Sequence, residues 1–151
     1  MENKTMPITG GCLCGAVRYE ATEPPQEVGY CHCRMCQKWT GNLFLPGAGF
    51  RSAAFRFTQG EPKFYQSSAW LERGFCANCG TPVCDHYLKG SDTVYASIGS
   101  LDHPEDWPPR AHWGVESQVP WLTIDDGLPR MRTDEDPEFI AAKAAVEQGE
   151  D

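Results

Sequence analysis

The sequence contains no apolar run that approaches the roughly 20 residues needed for a membrane-spanning helix. Residues 1–7 lack a basic segment followed by an apolar one, so we expect no secretory signal and a cytoplasmic location. Basic residues are also scarce, since 13 Lys and Arg stand against 21 Asp and Glu, which gives a formal net charge of −8. Nucleic-acid binding depends on clustered cations, and the densest basic stretch is only residues 34–38. We therefore expect neither a nucleic-acid partner nor a membrane partner.

The length of 151 residues suits one domain, and 40% of the residues are hydrophobic, as is usual for a globular protein. The 12 prolines and 15 glycines cut the chain into short runs, which favours strands and turns over helices. No stretch has the composition of a linker. We therefore expect a single, mainly β domain over residues 1–151.

Local patterns predict particular elements of this domain. Apolar and polar residues alternate over residues 15–21 and again over residues 93–98, so both segments are predicted to be strands. A short helix or turn is predicted after Cys33. The one clear helix is predicted over residues 137–148, because Asp136 can cap its amino terminus, a proline follows and its body is rich in alanine.

Eight cysteines are the most informative residues, and they are Cys12, Cys14, Cys31, Cys33, Cys36, Cys76, Cys79 and Cys84. Residues i and i+2 of a strand lie about 6.6 Å apart, whereas the Cβ atoms of a disulfide lie about 3.8 Å apart. Neither Cys-x-Cys pair can therefore close on itself without strain. Structural disulfides also do not persist in a reducing cytosol, so metal binding is the better interpretation.

The spacing of the cysteines suits zinc. Alternate residues of a strand point to the same face, so each Cys-x-Cys pair presents two thiols to one ion. A Cys-x-x-Cys turn does the same, and Cys76 and Cys79 are followed by Gly80, which permits positive φ. The pattern identifies a kind of site rather than a function.

Seven of the cysteines can be grouped in more than one way. One grouping forms a closed site, here called the four-cysteine cluster, from Cys12, Cys14, Cys76 and Cys79. It leaves a second group, here called the trio, with one open position; its members are Cys31, Cys33 and Cys36. An alternative closes the trio with Cys79, which leaves Cys12 and Cys14 without a partner. Cys84 could also complete the trio, although a small buried core thiol is the favoured interpretation.

At these motifs the sequence resembles the glutathione-dependent formaldehyde-activating family, which includes centromere protein V. The blocks that carry the resemblance are residues 10–19, 31–41, 74–82, 112–113, 119–121 and 126–129. The resemblance implies a mostly β fold of two antiparallel sheets, called a β-tent, stapled by zinc. It also implies that the four-cysteine cluster binds a structural zinc ion and that the trio binds a second, functional one.

In some family members the second zinc is tied to the formation of S-hydroxymethylglutathione from glutathione and formaldehyde. The resemblance therefore implies a carbon–sulfur lyase or synthase that takes a small thiol and a small carbonyl, with glutathione as a possible co-substrate. The trio would be catalytic. Zinc with three thiolates is a weak Lewis acid, so it is better suited to holding a substrate thiol than to activating water.

Further residues are candidates for substrate binding. Arg34 and Lys38 are the cations nearest to the trio in sequence and could hold a substrate carboxylate. Trp113 stands where the family often has an aliphatic residue, and it is a candidate for the wall of the pocket; a place in an aromatic core is the alternative. Cys84 also departs from the aromatic or aliphatic residue usual at its position, and both departures put the identity of the substrate in question.

Two other functions remain open from the sequence. The chain could be a non-catalytic zinc module that binds a protein partner, or a thiol redox enzyme resembling methionine sulfoxide reductase B, with Cys84 or Cys36 as the nucleophile. Two zinc ions per chain would favour the lyase, and one would favour the alternatives. Among the histidines, His32 is predicted to face away from the metal, while His86 and His103 are predicted to face solvent.

Overall fold

The computed structural model describes residues 6–149, and within this range the chain is mainly β. The strands are β1 (Ile8–Gly11), β2 (Arg18–Ala21), β3 (Glu27–Cys31), β4 (Leu45–Arg51), β5 (Phe55–Gln59), β6 (Lys63–Gln66), β7 (Leu71–Phe75), β8 (Pro82–Tyr87), β9 (Thr93–Ser97), β10 (Ala111–Trp113) and β11 (Arg130–Met131). The α-helices are α1 (Arg34–Thr40) and α2 (Pro137–Glu147). The predicted fold class, two sheets with a short C-terminal helix, is confirmed.

The strands form a three-stranded sheet in the order β1-β2-β5 and an eight-stranded sheet in the order β11-β10-β3-β4-β9-β8-β7-β6. Among the described strands, β10 departs from the antiparallel pattern, because it runs parallel to both β3 and β11. This pairing sets Trp113 directly beside Cys31. Two motifs that are far apart in the sequence therefore meet at one end of β3.

The core draws buried side chains from both sheets. In β2 the predicted alternation is confirmed, since Tyr19 is 1% exposed while its neighbours Arg18 and Glu20 reach solvent in part. The ring of Tyr19 stacks on Phe55 with centroids 4.9 Å apart, and its hydroxyl hydrogen-bonds the Ser100 hydroxyl at 2.6 Å. The buried tyrosine thus keeps a partner for its polar end, as a buried hydroxyl requires.

Both helices begin as the sequence predicts. The Cys33 sulfur caps α1 by accepting a hydrogen bond from the Cys36 backbone N–H at 3.4 Å. Asp136 caps α2, because its carboxylate accepts from the Glu138 backbone N–H at 3.0 Å. Phe139 in the first turn of α2 then packs edge-to-face against Trp70, which lies just before β7. None of the helices within residues 6–149 is both long enough and apolar enough to cross a bilayer.

Candidate metal centres and the adjoining cavity

The four-cysteine cluster assembles as the first grouping predicts. Cys12 and Cys14 follow β1, while Cys76 and Cys79 lie in the turn between β7 and β8. All four sulfurs lie within 4.8 Å of one another. The Cys14 sulfur is 3.6 Å from that of Cys12 and 3.8 Å from that of Cys76. Zinc–sulfur bonds of about 2.3 Å in a tetrahedron place sulfurs about 3.8 Å apart, so the donor set fits zinc.

Hydrogen bonds prepare this cluster for negative charge. The Val17 backbone N–H donates to the Cys12 sulfur at 3.2 Å, and the Asn78 side-chain amide donates to the Cys14 sulfur at the same distance. Hydrogen bonds with the Thr81 hydroxyl and backbone lower the pKa of Cys79 to about 5. N–H and O–H groups aimed at sulfur favour the thiolate, which is the form that binds a metal.

The trio forms a second group of sulfurs within 4.8 Å of one another. Cys31 ends β3, Cys33 caps α1, and Cys36 lies in the first turn of that helix. The hydrogen bond from Cys31 and then that from Cys36 lower the pKa of Cys33, and the bond to Cys33 raises the pKa of Cys31 in turn. A negative charge on Cys33 is therefore stabilised by the neighbouring thiols, whose protons would be released to solvent when a metal binds.

Within residues 6–149 the trio includes no fourth side chain that could ligate a metal. Cys84 belongs to neither group and lies in the core at 1% exposure, as the sequence favours. Burial raises the pKa of Cys84 to about 12. The alternatives that close the trio with Cys79 or Cys84 are therefore not the arrangement seen here.

Arg73 is a residue of the candidate site that the sequence analysis missed. It is 1% exposed, and both terminal nitrogens of its guanidinium lie 3.6 Å from the Cys36 sulfur. One of them is also 3.7 Å from the Asp85 carboxylate, and the guanidinium lies over the Trp39 ring, 5.1 Å from its centroid. Burial by itself lowers the pKa of Arg73, but the charges of Cys36 and Asp85 outweigh that effect and raise it. The sequence did contain one indication that Arg73 is buried: it lies two residues after Leu71 in β7, so both side chains lie on the same face of the strand.

A cavity of about 140 Å³ adjoins the trio. Its walls are mostly aromatic and aliphatic, and they come from β3, α1, β4, β7, β8, β9, β10, the start of α2 and the loops beside these elements. The lining residues are Cys31, Cys33, Met35, Cys36, Leu45, Gly47, Trp70, Leu71, Arg73, Asp85, Tyr87, Tyr95, Trp113, Gly114, Thr133, Asp136 and Phe139. All three sulfurs of the trio therefore border a space that a small molecule can enter.

The other predicted substrate-binding residues lie in different places. Trp113 lines the cavity, and its ring meets that of Tyr95 edge-to-face with centroids 5.9 Å apart. Arg34 and Lys38 are exposed on α1 and are not among the lining residues described above. Their contact with a substrate carboxylate stays a prediction.

A chain of hydrogen bonds supports the segment between β3 and α1, from which the trio projects. His32 and His112 are fully buried, and His32 Nε2 lies 2.8 Å from His112 Nδ1. His112 Nε2 lies 2.8 Å from the Asp126 carboxylate, which can only accept, so His112 Nδ1 accepts from His32 Nε2–H. Burial lowers the pKa of His32 to about 4, which agrees with a neutral ring. His32 takes no part in the trio, as predicted, and instead packs against Phe44.

The two remaining histidines differ from each other. His103 is exposed and pairs with Glu105 at 3.0 Å, as a solvent-facing residue can. His86 is half-buried, which corrects the prediction that it faces solvent. The pairing of β7 with β8 sets His86 opposite Glu72, and its Nε2 lies 2.8 Å from the Glu72 carboxylate.

Comparison with known proteins gives consistent matches. A family model described as glutathione-dependent formaldehyde-activating enzyme matches residues 7–117, a range that contains both cysteine groups. A Schizosaccharomyces pombe protein named an uncharacterized lyase is 30% identical over 86 residues, which are 57% of this chain and 62% of that protein. A Halomonas elongata protein named a putative glutathione-dependent formaldehyde-activating enzyme is 27% identical over 129 residues, 80% of this chain and 82% of that protein.

The fold also has a counterpart among solved structures. A crystal structure of a Rhodobacter sphaeroides protein superposes with a TM-score of 0.52 at 17% sequence identity. The match covers 82% of this chain and 99% of that one. At this identity the likeness concerns the fold alone.

Proposed function

The chain belongs to the glutathione-dependent formaldehyde-activating enzyme family, and from this membership we propose that it is a zinc-dependent carbon–sulfur lyase or synthase. It would join a small thiol, such as glutathione, to formaldehyde or a related small carbonyl. The observation that carries this proposal is the trio, whose three sulfurs converge and border the same cavity. The names of the relatives in Halomonas elongata and Schizosaccharomyces pombe support an enzyme of this general kind.

In the proposed reaction a thiol adds across a carbonyl group. The carbon–sulfur bond forms, the carbon–oxygen π bond breaks, and the thiol proton ends on the former carbonyl oxygen, so no oxidant or reductant is needed. Zinc in the trio would keep the substrate thiol deprotonated at neutral pH. The lyase direction is the reverse of the same addition.

The protein's own side chains would support this chemistry. Cys31, Cys33 and Cys36 would hold the metal, and the Arg73 guanidinium beside Cys36 would offset part of the negative charge. Asp85 lines the cavity, and burial raises the pKa of its carboxyl to about 6. Its carboxylate would be placed to take the thiol proton and return it to the carbonyl oxygen near neutral pH. The aromatic walls would limit the entry of water.

Several finer assignments belong to the same proposal. The four-cysteine cluster would hold a second, structural zinc ion, and residues 1–151 would form a single domain. Arg34 and Lys38 would attract a carboxylate of a glutathione-type thiol at the protein surface. We place the enzyme in the cytoplasm, because thiolate sites of this kind depend on cysteines that stay reduced.

Metal content tests the proposal directly. Freshly purified protein is expected to contain two zinc ions per chain by elemental analysis. Cys33→Ala is expected to contain one, whereas Cys84→Ala, which changes a core thiol outside both groups, keeps two. One zinc ion in the unmodified protein would contradict the proposal and favour the non-catalytic zinc module.

Thiol binding is a second, independent measurement. Glutathione added to cobalt-substituted protein is expected to change the cobalt–thiolate absorption, and the Cys33→Ala variant should show no such change at the trio. An unchanged spectrum in the unmodified protein would count against glutathione as the thiol substrate. The redox alternative with Cys84 as nucleophile is disfavoured because that thiol is buried at 1% exposure.

A further inference from the structure

We propose that the thiol accepted by the trio carries an uncharged, ring-sized apolar group, and that glutathione is not the preferred substrate. This inference rests on the proposed function and narrows it to one chemical class, the compact aryl and arylalkyl thiols. It is argued from the size of the cavity, the chemistry of its walls and the charges that border it.

The size of the cavity limits what can reach the trio. Its volume is about 140 Å³. An apolar cavity of about 150 Å³ in a protein interior accepts a benzene ring, whereas pockets for drug-sized ligands span about 300–1,000 Å³. The cavity is open to solvent on one side, so a tripeptide such as glutathione would leave most of its atoms outside, while a single ring joined to a thiol by a short link fills the space.

The walls of the cavity favour a ring. Trp70 and Phe139 meet edge-to-face with centroids 5.5 Å apart on one part of the wall. Tyr95 and Trp113 form a similar pair, 5.9 Å apart, on another. Aromatic surfaces arranged in this way offer both ring faces and ring edges to a further aromatic group. The hydrophobic effect and ring contacts would therefore both contribute to binding.

The charges at the cavity oppose an anionic substrate. Among the described lining residues Arg73 is the cation, and it already contacts the Cys36 sulfur, approaches Asp85 and donates from Nε to the Ser67 hydroxyl at 3.1 Å. Asp85 and Asp136 add two carboxyl groups to the same walls. A substrate carboxylate inside the cavity would have to leave water and approach these groups without a free cation to receive it, which is costly.

Gly47 offers a way to fill the cavity without disturbing the metal ligands. It lies in β4 and lines the cavity. A Cβ atom added there would have its nearest neighbours, which include Tyr95, at 3.9 Å, an ordinary van der Waals distance. A β-branched side chain suits a strand. Gly47→Val would therefore occupy space that a substrate ring needs.

The experiment measures binding of three thiols to zinc-loaded protein by calorimetry and by tryptophan fluorescence. The thiols are phenylmethanethiol, 2-mercaptoethanol and glutathione. We expect phenylmethanethiol to bind with a Kd at least about tenfold lower than that of glutathione, because only its ring is buried. Gly47→Val should raise the Kd of phenylmethanethiol at least about tenfold and that of 2-mercaptoethanol much less.

Controls separate the possible results. Gly99→Ala changes an exposed glycine outside the cavity, with open space around the added Cβ, and should leave all three affinities unchanged. Zinc content is measured for each variant, and Gly47→Ala provides a smaller step if Gly47→Val loses metal. Glutathione binding as tightly as phenylmethanethiol would overturn this inference and leave the proposed function standing. Absence of binding by all three thiols would overturn the proposed function and this inference together.

Discussion

Arg73 is a buried guanidinium placed between the Cys36 sulfur and the Asp85 carboxyl, both of which can carry negative charge. A charge in the interior is tolerated only when it is paired, so each of the three groups depends on the others. These contacts, together with the Trp39 ring beneath the guanidinium, offset the unfavourable desolvation free energy of burying Arg73. Removing the Arg73 charge should therefore lower the free energy of unfolding more than removing an ion pair on the surface does.

Replacing Arg73 with methionine keeps much of the side-chain volume but removes the charge. We expect Arg73→Met to lower the free energy of unfolding by about 3–5 kcal/mol, because Asp85 and Cys36 lose their buried partner. Arg56→Met is the control, since Arg56 pairs with Glu20 on the surface at 73% side-chain exposure, and it should cost at most about 1 kcal/mol. Denaturant titration measures both, and equal losses would contradict this account.

Asp126 is linked through His112 and His32 to the segment between β3 and α1 that bears the trio. Asp126→Ala leaves His112 Nε2–H without its acceptor, so we expect a loss of about 1–3 kcal/mol in the free energy of unfolding. Asp125→Ala, at the exposed neighbouring position, should change it by no more than about 0.5 kcal/mol. Nitrogen spectra of the imidazole rings provide a second readout, in which Nε2 of His112 is protonated in the unmodified protein. If the two variants behaved alike, the chain of hydrogen bonds would have no structural role.

At the scale of elements, the start of α2 is joined to β3 and β9 by one cluster of polar groups. The Tyr95 hydroxyl contacts the carboxyls of both Glu27 and Glu138, and the Ser91 hydroxyl also bonds Glu138. The tyrosine has a single proton to share between two carboxyl groups. Burial raises the pKa of Glu27 to about 7; the Tyr95 hydrogen bond opposes this, and the nearby Glu138 and Asp136 add to it.

This cluster makes the free energy of unfolding decrease as the pH rises. The folded state holds the Glu27 proton more tightly than the unfolded chain does. The stabilisation of the fold by this proton is therefore complete below about pH 4.5 and is lost as the pH rises through about 7. We expect the free energy of unfolding to fall across that window, and Glu27→Gln to reduce the fall. Glu61→Gln, at an exposed position outside the cluster, should leave it unchanged.

The measurement is denaturant unfolding of the three proteins at several pH values. A difference between unmodified protein and Glu27→Gln that does not vary with pH would contradict the shared proton. Because α2 forms part of the cavity wall through Phe139, loss of this contact at high pH should also loosen the site.

At the scale of the whole molecule, the four-cysteine cluster joins the two sheets. Cys12 and Cys14 follow a strand of the three-stranded sheet, and Cys76 and Cys79 connect two strands of the eight-stranded sheet. The contact between Cys14 and Cys76 spans 62 residues of sequence. A metal at this position would close a long loop and link the two sheets in addition to their shared apolar core.

Removing one of these thiolates should therefore affect the entire fold. Structural zinc contributes about 10 kcal/mol or more of apparent folding free energy, against a total of about 5–15 kcal/mol for a typical domain. We expect Cys76→Ala to be poorly folded, and a zinc chelator to lower the Tm of the unmodified protein. Cys84→Ala, which removes a buried thiol outside the cluster, should retain its zinc and most of its stability. An unchanged Tm for Cys76→Ala would show that the four-cysteine assignment is wrong.

The sequence alone was sufficient for features that arise from residues near one another in the chain. Alternation predicted β2 and β9, and the Asp136 cap with the following proline predicted α2 to within one residue. The spacing of the cysteines predicted metal-binding segments, because a Cys-x-Cys or Cys-x-x-Cys segment brings its own sulfurs together whatever the rest of the fold does. Which segments share one site stayed open in the sequence, and the fold selected the first grouping.

Only the tertiary structure decided what surrounds those sulfurs. Arg73 reaches Cys36 across 37 residues of sequence, His32 meets His112 across 80, and Trp113 arrives beside Cys31 through a parallel pairing. These contacts depend on strand order and register, which are set by the packing of the whole chain and not by local preference. The sequence thus determined that thiolate sites exist, whereas the fold determined the charge, size and aromatic walls of the space beside them.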